Sequence, residues 1–166
     1  AASGGGNGAI EVVHLTTRGS QYLGETGNLA GVTNTTTVTI TGSSLGADDC
    51  IVNNDIYFTS GDAAGEGGTI TDYNGTSKVV TFTPAITAPS ATDGYAIGPK
   101  IVISGDGQGA NVRCTVNSTG GINATAIISG GNNYSNASIT VVSNASQSNS
   151  FNPSPTAVLT PIIGPK

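Results

Sequence analysis

Residues 101–142 read IVISGDGQGANVRCTVNSTGGINATAIISGGNNYSNASITVV, and their pattern is the strongest indication of the fold. Their apolar runs are short, are rich in β-branched residues and end at glycine, asparagine or serine, a pattern typical of strands joined by tight turns. They are too short for helices. We therefore predict a small β-module with four strands, at residues 101–103, 112–116, 122–128 and 139–142.

The composition extends this prediction to the whole chain. Of its 166 residues, 36% are hydrophobic, 5% aromatic and 9% charged, and the chain has neither Trp nor Met. A core of this kind depends on Val, Ile and a few Tyr and Phe. No apolar period of 3.6 continues for about ten residues without a glycine or proline. We predict an all-β fold of two small antiparallel β-modules, sandwich-like or barrel-like, with glycine-rich hairpins and no substantial helix.

Charge and hydropathy disfavour some classes of partner. The net charge is −5, and the five cations are scattered along the chain at Arg18, Lys78, Lys100, Arg113 and Lys166. They form no basic stripe, so we expect no binding to nucleic acid. No apolar run approaches the length of about 18 residues that a membrane span needs, and we expect no membrane association. The opening AASGGGNGA has no signal-peptide features and is typical of a linker or the start of a processed segment.

A segment near the start of the chain repeats within the stretch 101–142. Residues 8–22 align with residues 120–134 at an offset of 112 positions. The aligned pairs are Gly8 with Gly120, Ile10 with Ile122, Leu15 with Ile127, Thr17 with Ser129, Gly19 with Gly131 and Tyr22 with Tyr134. Each copy has a strand, a glycine turn, two polar residues and a tyrosine. We expect the tyrosine ring to pack over its hairpin with the hydroxyl in water, and the two copies to bracket an insert.

These features divide the chain into three parts. Residues 1–9 are a predicted glycine-rich linker, residues 10–44 and 98–166 form the β-module with both repeat copies, and residues 45–97 form an inserted β-hairpin module. Further strands are predicted at residues 33–41, 56–59, 69–73, 78–83, 95–97 and 157–163. Asn74-Gly75 is a strong hairpin signal, and it predicts that the two strands flanking it pair antiparallel. Residues 143–156 are a predicted exposed loop.

No residue combination in the sequence resembles a reaction centre. His14 is the single histidine and has no second His or Cys at ligand spacing, so we interpret it as an ordinary strand residue. In Ser104–Gly109, Asp106 is the one acid, which favours a glycine-bounded hairpin turn over a calcium or phosphate loop. Asp48 and Asp49 leave weak calcium binding as an alternative. We assign no catalytic, cofactor-binding or metal residue, and we expect no enzymatic activity and no cofactor.

The two cysteines, Cys50 and Cys114, lie 64 positions apart. A disulfide that closes this loop is one alternative. Cysteines beside strands are more often buried free thiols, and this is our prediction.

Two stretches resemble modules of tailed-bacteriophage virions. Residues 105–142 resemble a phage repeat in which GDG-x-GA opens a strand, GG-I follows, and G-x-x-Y leads to a final strand. Residues 56–97 resemble a second phage module, with the pattern T-I-T-D-Y-x-G-x-x-K-V-V-T, a Pro-flanked loop and a closing Tyr-x-Ile. Together with the copy at Gly8–Tyr22, these resemblances cover most of the chain.

The order of these modules, between AASGGGNGAIEVV and IIGPK, is similar to a region of the baseplate wedge subunit of contractile-tailed phages that infect cyanobacteria. The resemblance implies a domain of a β-rich structural subunit without enzymatic activity, often dimeric. It implies contacts with neighbouring baseplate, tail or fibre proteins in the virion, after assembly in the host cytoplasm. The alternatives are a capsid decoration or tail-fibre protein, or a glycan-binding adhesin in which Tyr22, Tyr73, Tyr95 or Tyr134 stacks on sugar rings. Tyrosines folded onto their own hairpins would disfavour the adhesin.

Overall fold

The computed structural model describes residues 8–18, 22–42, 45–116, 121–142 and 157–164. Within these ranges the chain forms β-strands and no helix, which confirms the all-β prediction. The strands are β1 Ile10–Thr17, β2 Glu25–Asn28, β3 Gly31–Asn34, β4 Thr37–Thr39, β5 Asp55–Phe58, β6 Gly67–Tyr73, β7 Val79–Thr83, β8 Gly94–Gly98, β9 Lys100–Gly105, β10 Gln108–Val116, β11 Ile122–Asn132, β12 Ala137–Val142 and β13 Val158–Ile163. The pairs that they form are antiparallel.

Seven of these strands form one curled sheet in the order β2-β8-β5-β6-β7-β4-β3. Its two edge strands, β2 and β3, follow each other in the chain with Leu29 and Ala30 between them. Because such a connection spans about 10 Å at most, the sheet has to curl until its edges approach each other. The curl encloses a core whose largest buried side chains are Tyr73, Tyr95, Phe58 and Phe82.

The other six strands form three two-stranded ribbons, β1-β13, β9-β12 and β10-β11. β11 packs beside β1, β9 beside β10, and β12 beside β13, so the three ribbons close into a ring. The ring surrounds a second core, which contains Tyr22, Ile101, Val112, Cys114, Ile122, Ala157 and Leu159. Because side chains alternate along a strand, a ribbon can bury one face in this core and turn the other outward.

The two repeat copies occupy equivalent places in this ring. β1 and β11 are neighbours and contribute to the same core. Their aligned residues also match in burial, since Ile10 and Ile122 are both buried and Tyr22 and Tyr134 are both 3% exposed. The internal repeat therefore corresponds to a repeated structural unit.

Most of the predicted strands are confirmed. β9 to β12 cover the four runs predicted in residues 101–142, and β6 pairs antiparallel with β7 across Asn74-Gly75. The single strand predicted at residues 33–41 was wrong, because β3 and β4 form a hairpin there in which Asn34 Oδ1 accepts the N–H of Thr36 at 2.8 Å. The sequence analysis missed β2, whose residues ETGN have low strand propensity.

The glycine turn at Ser104–Gly109 is a turn but not the predicted hairpin. The strands on either side of it do not pair with each other, since β9 pairs with β12 and β10 pairs with β11. The turn therefore connects two neighbouring ribbons of the ring.

The two cores divide the chain differently from the predicted modules. β2, β3 and β4 lie within residues 10–44, yet they join the sheet formed by residues 45–97 and add Leu29, Val38 and Ile40 to its core. The reason is that β2 and β3, the two edge strands of the curled sheet, both come from this segment and follow each other closely in the chain. Along the chain the change of core falls near Gly24.

The predicted linker 1–9 was wrong at its last two residues. Gly8 O accepts the N–H of Tyr134 at 3.1 Å, and Ala9 O accepts the N–H of Gly164 at 2.8 Å, so both residues belong to the ring. The remaining linker residues, 1–7, lie outside the described residues, as do the predicted loop 143–156 and the repeat glycines Gly19 and Gly120.

Candidate interaction face

The GDG motif of the β9–β10 turn makes contacts within the protein. Asp106 Oδ1 accepts the N–H of Ser135 at 2.7 Å and the N–H of Asn136 at 3.1 Å, which ties this turn to the β11–β12 connection. These two hydrogen bonds hold the pKa of Asp106 below its usual value. A Cβ on Gly107 would lie 2.4 Å from the ring of Tyr134. The motif thus makes room for the tyrosine and anchors the backbone that follows it.

The adjacent acids Asp48 and Asp49 serve another turn in the same way. Asp48 Oδ1 accepts the N–H of Gly75 at 2.7 Å, and Asp49 Oδ1 accepts the N–H of Tyr73 at 3.3 Å. Across the described ranges, no three His, Cys, Asp or Glu side chains are grouped so that they could hold a metal ion. Both candidate calcium ligands therefore lie against backbone amides of the β6–β7 hairpin.

The four tyrosines considered for sugar stacking are buried. Tyr22, Tyr73, Tyr95 and Tyr134 have exposed fractions between 1% and 3%. The prediction that the hydroxyl of the repeat tyrosine stays in water was wrong for Tyr22, whose buried hydroxyl accepts the N–H of Ala157 at 3.1 Å. None of the four offers a ring face to a ligand.

A carboxylate in the curled sheet ties its edge strand β2 to the segment that follows β4. Glu25 lies on the edge strand β2, and its Oε2 accepts the hydroxyl of Tyr95 and, at 2.7 Å, the N–H of Gly42. Burial and the neighbouring Glu25 raise the pKa of Tyr95 to about 12. The hydroxyl of Tyr73 also binds within the protein, to Leu45 O at 2.5 Å. Sequence analysis missed this cluster, because nothing in the sequence signals that β2 exists.

A buried ion pair joins the curled sheet to the ring. Arg113 Nη1 on β10 lies 2.6 Å from Asp55 Oδ2 on β5, and the two side chains are 12% and 3% exposed. Thr69 Oγ1 donates to the other carboxylate oxygen at 3.1 Å. Burial raises the pKa of Asp55, and the Arg113 guanidinium opposes that effect. The pair stabilises the contact between the two units and lies away from solvent.

Three of the four described cations, Arg18, Lys78 and Arg113, have partners within the protein. Arg18 Nη1 donates to Ile122 O at 2.9 Å, Lys78 Nζ donates to Leu45 O at 3.2 Å, and Arg113 is paired with Asp55. The acidic excess of the chain follows from its ten Asp and Glu against five Lys and Arg, and only Arg113 among these three cations is paired with a carboxylate.

The cysteines are buried free thiols, as predicted. Cys50 lies in the core of the curled sheet and Cys114 in the core of the ring. Burial raises the pKa of Cys114 to about 12, which keeps it protonated at neutral pH. The two cysteines belong to different cores, and the disulfide alternative is not realised.

The outer face of the β1-β13 ribbon is the most apolar exposed surface in the described residues. Its large exposed side chains are Val12, Val158 and Ile162, with exposed fractions of 47%, 48% and 41%. Val12 lies opposite Ile162, and the exposed His14 lies opposite the exposed Thr160. We call this surface, which consists of Val12, His14, Thr16, Val158, Thr160 and Ile162, the ribbon face. None of these six residues is Asp, Glu, Lys or Arg, and His14 lies at the centre of the face. The exposed carboxylate of Glu11 lies at one end, beside Val12 and close to Gly164.

The described part of the chain opens no ligand-sized pocket. It also contains no helix of the length and hydrophobicity needed to cross a membrane. Comparison with protein-family models, with curated proteins and with solved structures finds no match. The functional argument therefore depends on the contacts and surfaces described above.

Proposed function

We propose that this chain is a structural protein of a tailed-bacteriophage virion, a component of the baseplate wedge that acts through protein–protein contacts. The single observation that carries the proposal is the ribbon face, a partly apolar sheet surface on a protein whose other motifs serve internal packing. Sheet surfaces of this kind are typical of subunit contacts. The assignment to a phage virion rests on the resemblance of residues 56–97 and 105–142 to phage virion modules.

The occupant that we propose for the ribbon face is a second copy of the chain. A twofold axis in the plane of contact, parallel to the strands and midway between them, would place β1 of one copy over β13 of the other. Val12 would then lie over the other copy's Ile162, and His14 over its Thr160, because these residues are opposite each other in the ribbon. Apolar groups meet apolar groups, as an isologous contact requires.

Charge also favours a second copy at this face. The chain carries a net charge of −5, so two copies repel each other through most approaches. A basic partner would be attracted to the acidic surface elsewhere and would gain little from the apolar and neutral side chains at the centre of the ribbon face. None of the six ribbon-face residues is acidic, so a second copy meets no carboxylate at the centre of the face, and Glu11 lies at one end.

The alternatives differ in the support that they have. A glycan-binding adhesin needs an exposed aromatic ring, and its candidates Tyr22, Tyr73, Tyr95 and Tyr134 are buried. A capsid decoration or tail-fibre protein could use the same ribbon face, and its position in the particle distinguishes it from a wedge protein. In each case the proposed function includes no catalytic step and no cofactor.

Immunogold labelling of the phage particles that carry this sequence tests the proposal. An antibody raised against the chain should label the tail end of intact virions, at positions that follow the sixfold symmetry of the baseplate. Labelling over the capsid would replace the wedge assignment with a decoration protein. A chain that is expressed during infection but is not found in purified particles would refute a structural role in the virion.

A further inference from the structure

We propose that Asp48 protects the Asn74–Gly75 peptide against spontaneous deamidation. In this reaction the backbone N of Gly75 loses its proton to hydroxide and bonds to Cγ of Asn74, while Nδ2 takes up a proton and leaves as ammonia. Water then opens the five-membered succinimide to aspartate or isoaspartate. Asn-Gly is the dipeptide most prone to this reaction, because glycine has no side chain to hinder ring closure. The inference does not depend on the proposed function.

The first protective feature is the hydrogen bond from the attacking group. The N–H of Gly75 donates to Asp48 Oδ1 at 2.7 Å. A charge-assisted bond of this length has to be broken before the nitrogen can attack. The Asp48 carboxylate also lies beside the position where negative charge would develop on the amide nitrogen, and like charges repel.

The second protective feature is the set of hydrogen bonds made by Asn74 itself. Its N–H donates to Val79 O at 3.0 Å, and its carbonyl accepts the N–H of Lys78 at 2.8 Å. Its Oδ1 accepts the N–H groups of Thr76 and Ser77 at 2.9 and 2.8 Å. Ring closure joins the side chain to the backbone and needs a change of geometry at Asn74 that these four hydrogen bonds oppose.

Packing explains why the sequence keeps glycine at this reactive position. Gly75 does not have positive φ, so its conformation alone does not require glycine. A Cβ on Gly75 would lie 2.4 Å from Gly46 O and 2.8 Å from the carbonyl carbon of Ala47. The segment that forces glycine at position 75 therefore also supplies Asp48, the group that protects it.

Deamidation rates in the folded protein test this inference. The protein and its variants are incubated at mildly alkaline pH, and peptide mapping by mass spectrometry follows aspartate and isoaspartate at position 74. Asp48→Ala should deamidate at this position at least about fivefold faster than the unsubstituted protein, the factor that corresponds to one hydrogen bond of about 1 kcal/mol. Asp48→Asn keeps the acceptor but loses the charge and should give a smaller increase.

Two controls accompany this test, one from a second site in the chain and one from the denatured protein. Asn7–Gly8 is the other Asn-Gly dipeptide in the sequence, and its rate should not change with the residue at position 48. In denaturant all variants should react at one common rate at Asn74, faster than the folded unsubstituted protein.

Equal or slower deamidation of folded Asp48→Ala would overturn the inference, and a slower rate would identify Asp48 as a base that promotes the reaction. If Asp48→Ala does not fold, Asp48→Asn decides, since its rate at Asn74 should still exceed that of the unsubstituted protein. A rate in Asp48→Asn that is unchanged or lower would then overturn the inference.

Discussion

At the scale of single residues, carboxylates and glycines form the turns of this protein. Asp106, Asp48 and Asp49 each accept backbone N–H groups from a neighbouring connection. Gly107 and Gly75 each allow another group to approach where a Cβ would collide. Buried backbone groups need such partners when they lie outside strand ladders, so these residues allow short strands to end in ordered turns.

Replacing Gly107 tests the packing of the repeat tyrosine. We expect Gly107→Ala to lower the free energy of unfolding by about 1–3 kcal/mol, because the new Cβ would overpack against the Tyr134 ring. Urea unfolding followed by circular dichroism measures the change. Gly46→Ala is the matched control, since a Cβ there would meet nothing within 4 Å. Equal stabilities of the two variants would contradict this account of the motif.

The carboxylate of Asp106 should make stability depend on pH in the acid range. Its pKa is lowered in the folded protein by the hydrogen bonds from Ser135 and Asn136. The stability that it contributes is therefore present above the unfolded pKa and is lost as the pH falls through the folded pKa. At neutral pH the unsubstituted protein should be more stable than Asp106→Asn, and the difference should shrink below about pH 4. Urea unfolding over a pH series checks this, and a constant or growing difference would be inconsistent with it.

At the scale of strands and sheets, buried polar side chains connect segments that the hydrogen bonds between paired strands do not join. Glu25 connects the edge strand β2 to the segment after β4, and the Arg113–Asp55 pair connects the curled sheet to the ring. Removing one member of a buried ion pair leaves the other charge without compensation, while replacing both with apolar groups removes the desolvation cost as well.

A double-mutant cycle measures this connection. We expect Asp55→Leu or Arg113→Met alone to lower the free energy of unfolding by about 3–5 kcal/mol, and the double variant to recover most of that loss. Chemical denaturation of the four proteins gives the coupling energy. Additive losses in the double variant would show that the pair does not act as a unit.

The sequence predicted those strands that a local pattern defines. It did not predict strands and contacts that depend on pairing between distant segments of the chain. Short β-branched runs that end at glycine, asparagine or serine located β9 to β12, and Asn74-Gly75 located the β6–β7 hairpin. β2 was not predictable, because ETGN forms a strand only through its pairing with β8. The same reason hid the contacts of Glu25 with Gly42 and of Arg113 with Asp55. The ribbon face was hidden as well, because it needs the pairing of β1 with β13 from opposite ends of the sequence.

At the scale of the whole molecule, the protein has two cores and an outer ribbon. The curled sheet and the ring of ribbons each bury their own apolar side chains, and the β1-β13 ribbon buries one face in the ring. Its other face leaves Val12, Val158 and Ile162 exposed. The acidic surface and the apolar centre of the ribbon face together favour association through one defined surface.

Sedimentation equilibrium over a concentration series shows whether the chain associates through the ribbon face. The unsubstituted chain should sediment with the mass of two chains, and the double variant Val12→Asp, Ile162→Asp should sediment as a monomer, because it places like charges in the proposed contact. Ala85→Asp adds the same charge at an exposed site away from the ribbon face and should remain dimeric. A monomeric unsubstituted chain at all concentrations, or a double variant as dimeric as that chain, would contradict the claim that the protein acts through the ribbon face.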